Sequence, residues 1–224
     1  MASAKSQRKR SRPVQKRSPL DSKGMKIGIV VIFIIIIAVA AFYVFSGSNG
    51  DEEVVGNPIA VFDTTMGTFK VELFEDKVPN TVANFVKLVN DGFYDGMNFY
   101  RISEGFMIQA GRYFPDDSES QSPYGTIDFE ANPEVLHVDG AISMARSSDI
   151  NSASAEFFIC DGAQRSLDDD YLQQYGQRGY TAFGVTIEGL DVVHEIAAQP
   201  NDGAHPAGGG KPYEDIIINS IVIE

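Results

Sequence analysis

"FYRISEGFMIQAG" (residues 99–111) is two short apolar runs around Glu104-Gly105, the pattern of a strand, a bend and a second strand. Arg101 and Gln109 stand out among Phe99, Tyr100, Ile102, Phe106, Met107 and Ile108. A guanidinium stays charged at any working pH and holds five donors, so such surroundings must supply it with partners or a task. Taken singly, Arg101 reads as a surface ion-pair residue, and Phe106 and Met107 read as core. The rest of the chain has to decide.

On either side the pattern is mostly strands. "IAVFDTTMGTFKVELF" (59–74) is two strand-like runs around a turn at Met66-Gly67. "GAISMAR" (140–146), "AEFFIC" (155–160), "YTAFGVTI" (180–187) and "DIIINSIVIE" (215–224) are further strands. "PNTVANFVKLVNDG" (79–92) is a helix: Pro79 opens it, Val82, Phe85, Val86 and Val89 recur at helical spacing, and Gly92 closes it. "LDVVHEIAA" (190–198) is a second, stopped before Pro200. Many strands with two short helices predict a closed antiparallel barrel with helical caps.

The N-terminal region differs in kind. Residues 27–45, "IGIVVIFIIIIAVAAFYVF", carry no charge and as a helix would span roughly 28 Å, about the hydrocarbon thickness of a bilayer. The alternative is a cleavable signal peptide, with Ala38-Val39-Ala40 as a weak cleavage site. The apolar run exceeds the roughly 7–15 residues of a signal core, which favours an uncleaved transmembrane anchor. Nine of the chain's 18 Lys/Arg lie in residues 1–26, beside one acid, Asp21. The positive-inside rule then puts this tail in the cytoplasm and the rest of the chain outside the cell membrane. Residues 46–58 are a polar, Gly-rich linker, and residues 59–224 form the expected globular domain.

With nine basic residues in the tail, residues 27–224 hold nine basic and 30 of the 31 acidic residues. So acidic a body repels phosphate backbones, and no nucleic-acid partner is expected. Cys160 is the single cysteine, so no intrachain disulfide forms. His137, His194 and His205 show no metal-ligand spacing, and neither a metal nor a cofactor is expected. "GAHPAGGGKP" (203–212) lacks the phosphate-loop pattern and reads as a flexible loop.

Taken together, "PNTVANFVKL", "GFYDGMNFYRISEGFMIQAG", "GAISMAR", "SASAEFFI" and "YTAFGVTIEGLDVV" resemble the cyclophilin family of peptidyl-prolyl cis–trans isomerases over residues 59–224, in order and spacing. The "MAR" start looks like the bacterial and archaeal members. The resemblance implies an eight-stranded antiparallel closed barrel with two capping helices, acting as a monomeric catalytic domain on proline-containing polypeptides. It implies that Arg101 is catalytic, assisted by Gln109. It assigns substrate binding to Phe106, Met107, Ala145, Arg146, Glu156, Phe158, Leu167 and Tyr180. Two departures stand out. Glu156 replaces the usual Gln, and Ser166 replaces an aromatic used by cyclosporin-sensitive members, so weak cyclosporin binding is expected.

Those residue types suit the chemistry. An X-Pro bond turns slowly because twisting it breaks amide resonance, a barrier of about 18–20 kcal/mol. No bond to carbon changes, so neither nucleophile nor metal is required. The twisted amide must be bound better than either planar form. Its nitrogen regains a lone pair that a fixed guanidinium can donate to, while an apolar cup holds the prolyl ring. The acceleration needed is roughly 10²–10⁴-fold, or about 3–5.5 kcal/mol. A different class remains open at this point: a proline-peptide binding module or chaperone with little catalysis, suggested by Glu156 and Ser166.

Overall fold

The computed structural model describes residues 56–224. The basic tail, the apolar run and the linker up to residue 55 lie outside them. Among the described residues no helix is long and apolar enough to cross a membrane.

The chain runs β1 (Ile59–Thr64), β2 (Gly67–Leu73), α1 (Pro79–Asn90), β3 (Arg101–Ser103), β4 (Met107–Ala110), β5 (Ala141–Met144) and β6 (Phe157–Cys160). A 3-10 turn (Arg165–Leu167), α2 (Asp169–Gln173), β7 (Thr181–Glu188), α3 (Leu190–Ala197) and β8 (Ile218–Ile223) complete it. The eight strands form one sheet in the order β3-β4-β6-β5-β7-β2-β1-β8, antiparallel throughout.

The closed barrel expected from the sequence is a half-barrel in its ladder. The end strands β3 and β8 are not paired along their length. The seam between them is crossed by isolated bridges, Asn98 with Ile217 and Ile102 with Gly210. Backbone bonds from Phe99 N to the Ile216 carbonyl (2.9 Å) and from Ile218 N to the Met97 carbonyl (2.8 Å) support it. Three residues of β3 are too few to carry a full ladder, so the edge relies on these flanking contacts.

Both expected helices are present, and α2 is an addition that the sequence patterns do not predict. Its first turn holds Asp169 and Asp170, carboxylates that favour a helix N-terminus. α1 begins at Pro79, whose missing N–H is not needed there. Glu130 takes the role of a cap from a distant loop. Its Oε2 accepts from Thr81 N (2.7 Å) and its Oε1 from Asn80 N (3.2 Å). Thr81, Val82, Phe85, Leu88 and Val89 are the buried face of α1, which packs against β7 and β8.

The core is rich in aromatics. Phe62 stacks on Phe69 at 4.6 Å, and Phe157 meets Phe85 edge-on at 5.7 Å. Each such ring, fully removed from water, contributes about 1.5–3 kcal/mol.

Candidate active site

Strand alternation divides β3 to β6 between two faces. Ile102, Ile108, Ile142, Phe157 and Ile159 join the main core. Their chain neighbours Met107, Ala141, Phe158 and Cys160 form a second apolar cluster, with Phe106, Ala145, Leu167 and Tyr180 packed against it. A cleft of about 100 Å³ lies there, lined by Arg101, Phe106, Met107, Gln109, Ala145, Arg146, Phe158, Leu167 and Tyr180. Of the residues expected from the sequence, Glu156 alone is outside that lining. Cys160 is fully buried, and burial pushes its thiol up to about 12.

Register explains how the polar pair meets the cup. Arg101 faces Gln109 across β3 and β4, and Gln109 faces Phe158 across β4 and β6. Gly105 makes the bend between Arg101 and Gln109 at φ +71°, a conformation that favours glycine.

Arg101 is 9% exposed. Its Nε donates to the Gly208 carbonyl (3.0 Å), its Nη2 to the Ala207 carbonyl (2.9 Å) and its Nη1 to Gln109 Oε1 (3.1 Å). None of these acceptors is a carboxylate, so the charge is held without being neutralised. Burial lowers its pKa, but a guanidinium remains protonated. Of its five N–H groups, two are left without a protein partner among the described residues.

The carbonyls come from the loop read as flexible. Gly210 is bonded to Ile102 in both directions, at 2.9 and 3.0 Å, so the loop runs along the edge of β3. At Gly209, φ +72°, a Cβ would collide with the Ile102 carbonyl oxygen. The glycines permit a close approach that fixes Arg101.

Glu156 sits behind Gln109. Gln109 Nε2 donates to Glu156 Oε1 (2.9 Å) and to the Tyr100 hydroxyl, and that hydroxyl donates to Glu156 Oε1. The amide orientation follows, with the oxygen toward the guanidinium and the nitrogen toward the carboxylate. Burial pushes the Glu156 carboxyl up to about 7.

Arg146 lines the cleft but gives its donors to the Gly179 (3.0 Å), Arg178 (2.6 Å) and Ser147 (2.9 Å) carbonyls. It also lies 4.7 Å over the Tyr180 ring, so it braces that ring. Tyr180 N donates to the Leu167 carbonyl (3.1 Å), which joins two walls of the cleft.

Behind Phe158, the His137 ring stacks at 5.9 Å. His137 Nδ1 meets Asp168 Oδ1 at 2.7 Å and Nε2 meets Ser143 Oγ at 3.0 Å. The order Ser-His-Asp is that of an acyl-transfer triad. Ser143 is fully buried, however, so no substrate carbonyl reaches it and the chain is scaffold. Burial lowers the His137 pKa despite Asp168.

Asp139, Asp161 and His194 converge closely enough to hold one cation between them. Their oxygens already serve the fold. Asp161 Oδ2 accepts from Gly105 N (2.6 Å), and Asp139 Oδ1 accepts from Gly162 N (2.7 Å) and lies 3.0 Å from His194 Nε2.

Residues 59–223 match the family model of cyclophilin type peptidyl-prolyl cis-trans isomerase/CLD. The chain is 34% identical over 171 residues to peptidyl-prolyl cis-trans isomerase B of Escherichia coli K12, covering 74% of this chain and 99% of that protein. It is 42% identical over 139 residues to a peptidyl-prolyl cis-trans isomerase of Synechococcus elongatus, covering 61% of this chain and 87% of that protein. A crystal structure of a Cryptosporidium parvum cyclophilin type peptidyl-prolyl cis-trans isomerase is similar with TM-score 0.63 at 30% identity, over 74% of this chain and 96% of that one. A structure of the same Cryptosporidium protein in the presence of the dipeptide Ala-Pro has the same TM-score and covers 98% of that chain.

Proposed function

The chain belongs to the cyclophilin-type peptidyl-prolyl cis–trans isomerases and is an isomerase of X-Pro bonds, and we propose that it works from a membrane anchor on the proline-limited folding of exported polypeptides. The binding module with little catalysis is not the favoured reading.

In the mechanism we propose, the prolyl ring enters the cup of Phe106, Met107 and Phe158, with Leu167 and Tyr180 as walls. The twisted amide brings its nitrogen lone pair toward Arg101, whose unused N–H groups donate to it. Gln109 holds the guanidinium and has a lone pair left on its amide oxygen for a substrate N–H, while Ala145 meets that backbone from the opposite wall. The guanidinium binds the pyramidal nitrogen better than the planar one, which lowers the barrier. The observation carrying this assignment is an arginine fixed by two carbonyls and an amide, still charged, with donors free at an apolar cleft.

Residues 27–45 would be the anchor, with the basic tail cytoplasmic and the isomerase outside, beside emerging chains. The "MAR" motif supports a bacterial or archaeal type of cyclophilin. Ser166, in the turn beside Leu167, supports weak cyclosporin binding.

The test is a proline-isomerisation assay on the full-length chain beside Arg101→Ala. Removing the guanidinium should lower kcat/KM about 10²-fold or more. An unchanged rate would remove Arg101 from the mechanism. Protease added to intact cells should degrade the domain; its protection would reverse the proposed orientation.

A further inference from the structure

Isomerisation of an X-Pro bond neither takes up nor releases a proton, so the chemistry itself has no pH dependence near neutrality. A titrating group behind the catalytic pair would give it one. We infer that Glu156 is a positioning residue that holds Gln109 against Arg101, and that its ionisation couples the isomerase activity of this chain to pH. The inference rests on the reading of Arg101 and Gln109 as the polar half of the site.

The geometry is a relay of three side chains. Glu156 Oε1 accepts from Gln109 Nε2 at 2.9 Å and from the Tyr100 hydroxyl. Gln109 Oε1 accepts from Arg101 Nη1 at 3.1 Å. An ionised carboxylate only accepts, so it takes both donors and leaves the Gln109 oxygen facing the guanidinium. A protonated carboxyl carries a donor of its own. That hydrogen competes with the Tyr100 hydroxyl and the Gln109 N–H, and the amide loses its reason to face one way.

The surroundings leave the charge poorly compensated. Arg112 Nη1 is 3.9 Å from Glu156 Oε2, and its Nη2 is also engaged with Glu119 at 3.4 Å. Tyr113, on the same segment as Arg112, packs edge-on against Tyr100 at 4.9 Å and bonds Glu119 rather than Glu156. Arg101 acts through Gln109. With burial pushing the carboxyl up to about 7, the ionised form dominates above neutrality and the protonated form below it. A glutamine here, with an acceptor and a donor on separate atoms and no charge, would hold Gln109 equally at any pH.

A histidine also lies near the pair. His205 is on the loop that supplies Ala207 and Gly208, and burial and the Arg101 charge lower its pKa. Its protonation would therefore occur below the usual histidine range and needs its own control.

The experiment measures kcat and KM of the full-length chain on an X-Pro peptide without ionisable side chains, from pH 5.5 to 8.5. Wild type should gain about three- to tenfold in kcat/KM between pH 6 and 8, carried by kcat, with a midpoint near 7. Glu156→Gln should abolish the rise, and His205→Gln should keep it. In parallel, the ¹⁵N signal of the Gln109 side-chain amide should titrate with the same midpoint in wild type. If Glu156→Gln does not fold, Tyr100→Phe substitutes for it: losing a donor to the ionised carboxylate should move the amide midpoint upward. A flat wild-type profile in an active enzyme, an unchanged rise in Glu156→Gln, or a Gln109 amide silent across neutrality would overturn the inference. Absence of isomerase activity at every pH would overturn the function reading alone, because the amide titration still reads Glu156.

Discussion

Phe157 and Phe158 are adjacent on β6 and serve different parts of the molecule. Phe157 points into the main core and packs against Phe62, Phe85, Tyr94 and Phe99. Phe158 points the other way, between the His137 ring and Tyr180, in the small cluster under the cleft. The same division holds at Ile102 beside Arg101 and at Ile108 beside Gln109. One strand set therefore supplies the main core from one face and the cleft, with its proposed chemistry, from the other. The cleft face gains rigidity because its backbone is fixed by a core it does not itself contribute to.

The sharpest way to break this division is to truncate the two rings in turn. Phe157→Ala should cost about 3–5 kcal/mol in a denaturant titration, the range for an aromatic removed from a packed core. Phe158→Ala should cost less than half of that, yet lower kcat/KM about tenfold through the lost cup. Equal stability losses with equal activity losses would mean that the faces are not separable.

Glu156 sharpens the comparison because it sits on the functional side and weakens the fold. Its folded pKa, about 7, lies above the 4.5 of an ordinary glutamate. The native state therefore binds the proton more tightly than the unfolded state. The stability from this group is fully present below about pH 4.5 and is lost as pH rises through about 7. Glu156→Gln should accordingly be more stable than wild type by about 3 kcal/mol at pH 8, and no different at pH 4. Denaturation midpoints at the two pH values check this. A group retained at such a cost, in the form proposed to order Gln109, fits the general exchange of stability for activity.

Most of the strands were legible because period-2 patterning and turn residues survive in the sequence, and α1 because its apolar spacing is regular. Arg101 was legible as an anomaly in an apolar run. Its anchoring was not. The acceptors are backbone carbonyls of Ala207 and Gly208, and a carbonyl leaves no side-chain signature, so "GAHPAGGGKP" read as a flexible loop. Tyr100 was read only as part of a strand, although it bonds both Gln109 and Glu156. The convergence of Asp139 and Asp161 on His194 depends on the fold bringing distant segments together, so no spacing in the sequence announces it. α2 has five residues, too few for a periodic signal, and it went unseen in a polar stretch. The open seam between β3 and β8 is set by strand length, which sequence patterns locate only to within a few residues.

The central claim is that Arg101 works as a fixed, charged fork, and kcat/KM of Arg101→Lys in the full-length chain tests it most directly. Lysine keeps the charge but cannot span the Ala207 and Gly208 carbonyls and Gln109 while still facing the substrate. The expected result is a fall of about tenfold or more, with an unfolding midpoint close to wild type. Wild-type kcat/KM in Arg101→Lys would contradict the claim, because a mobile point charge would then suffice.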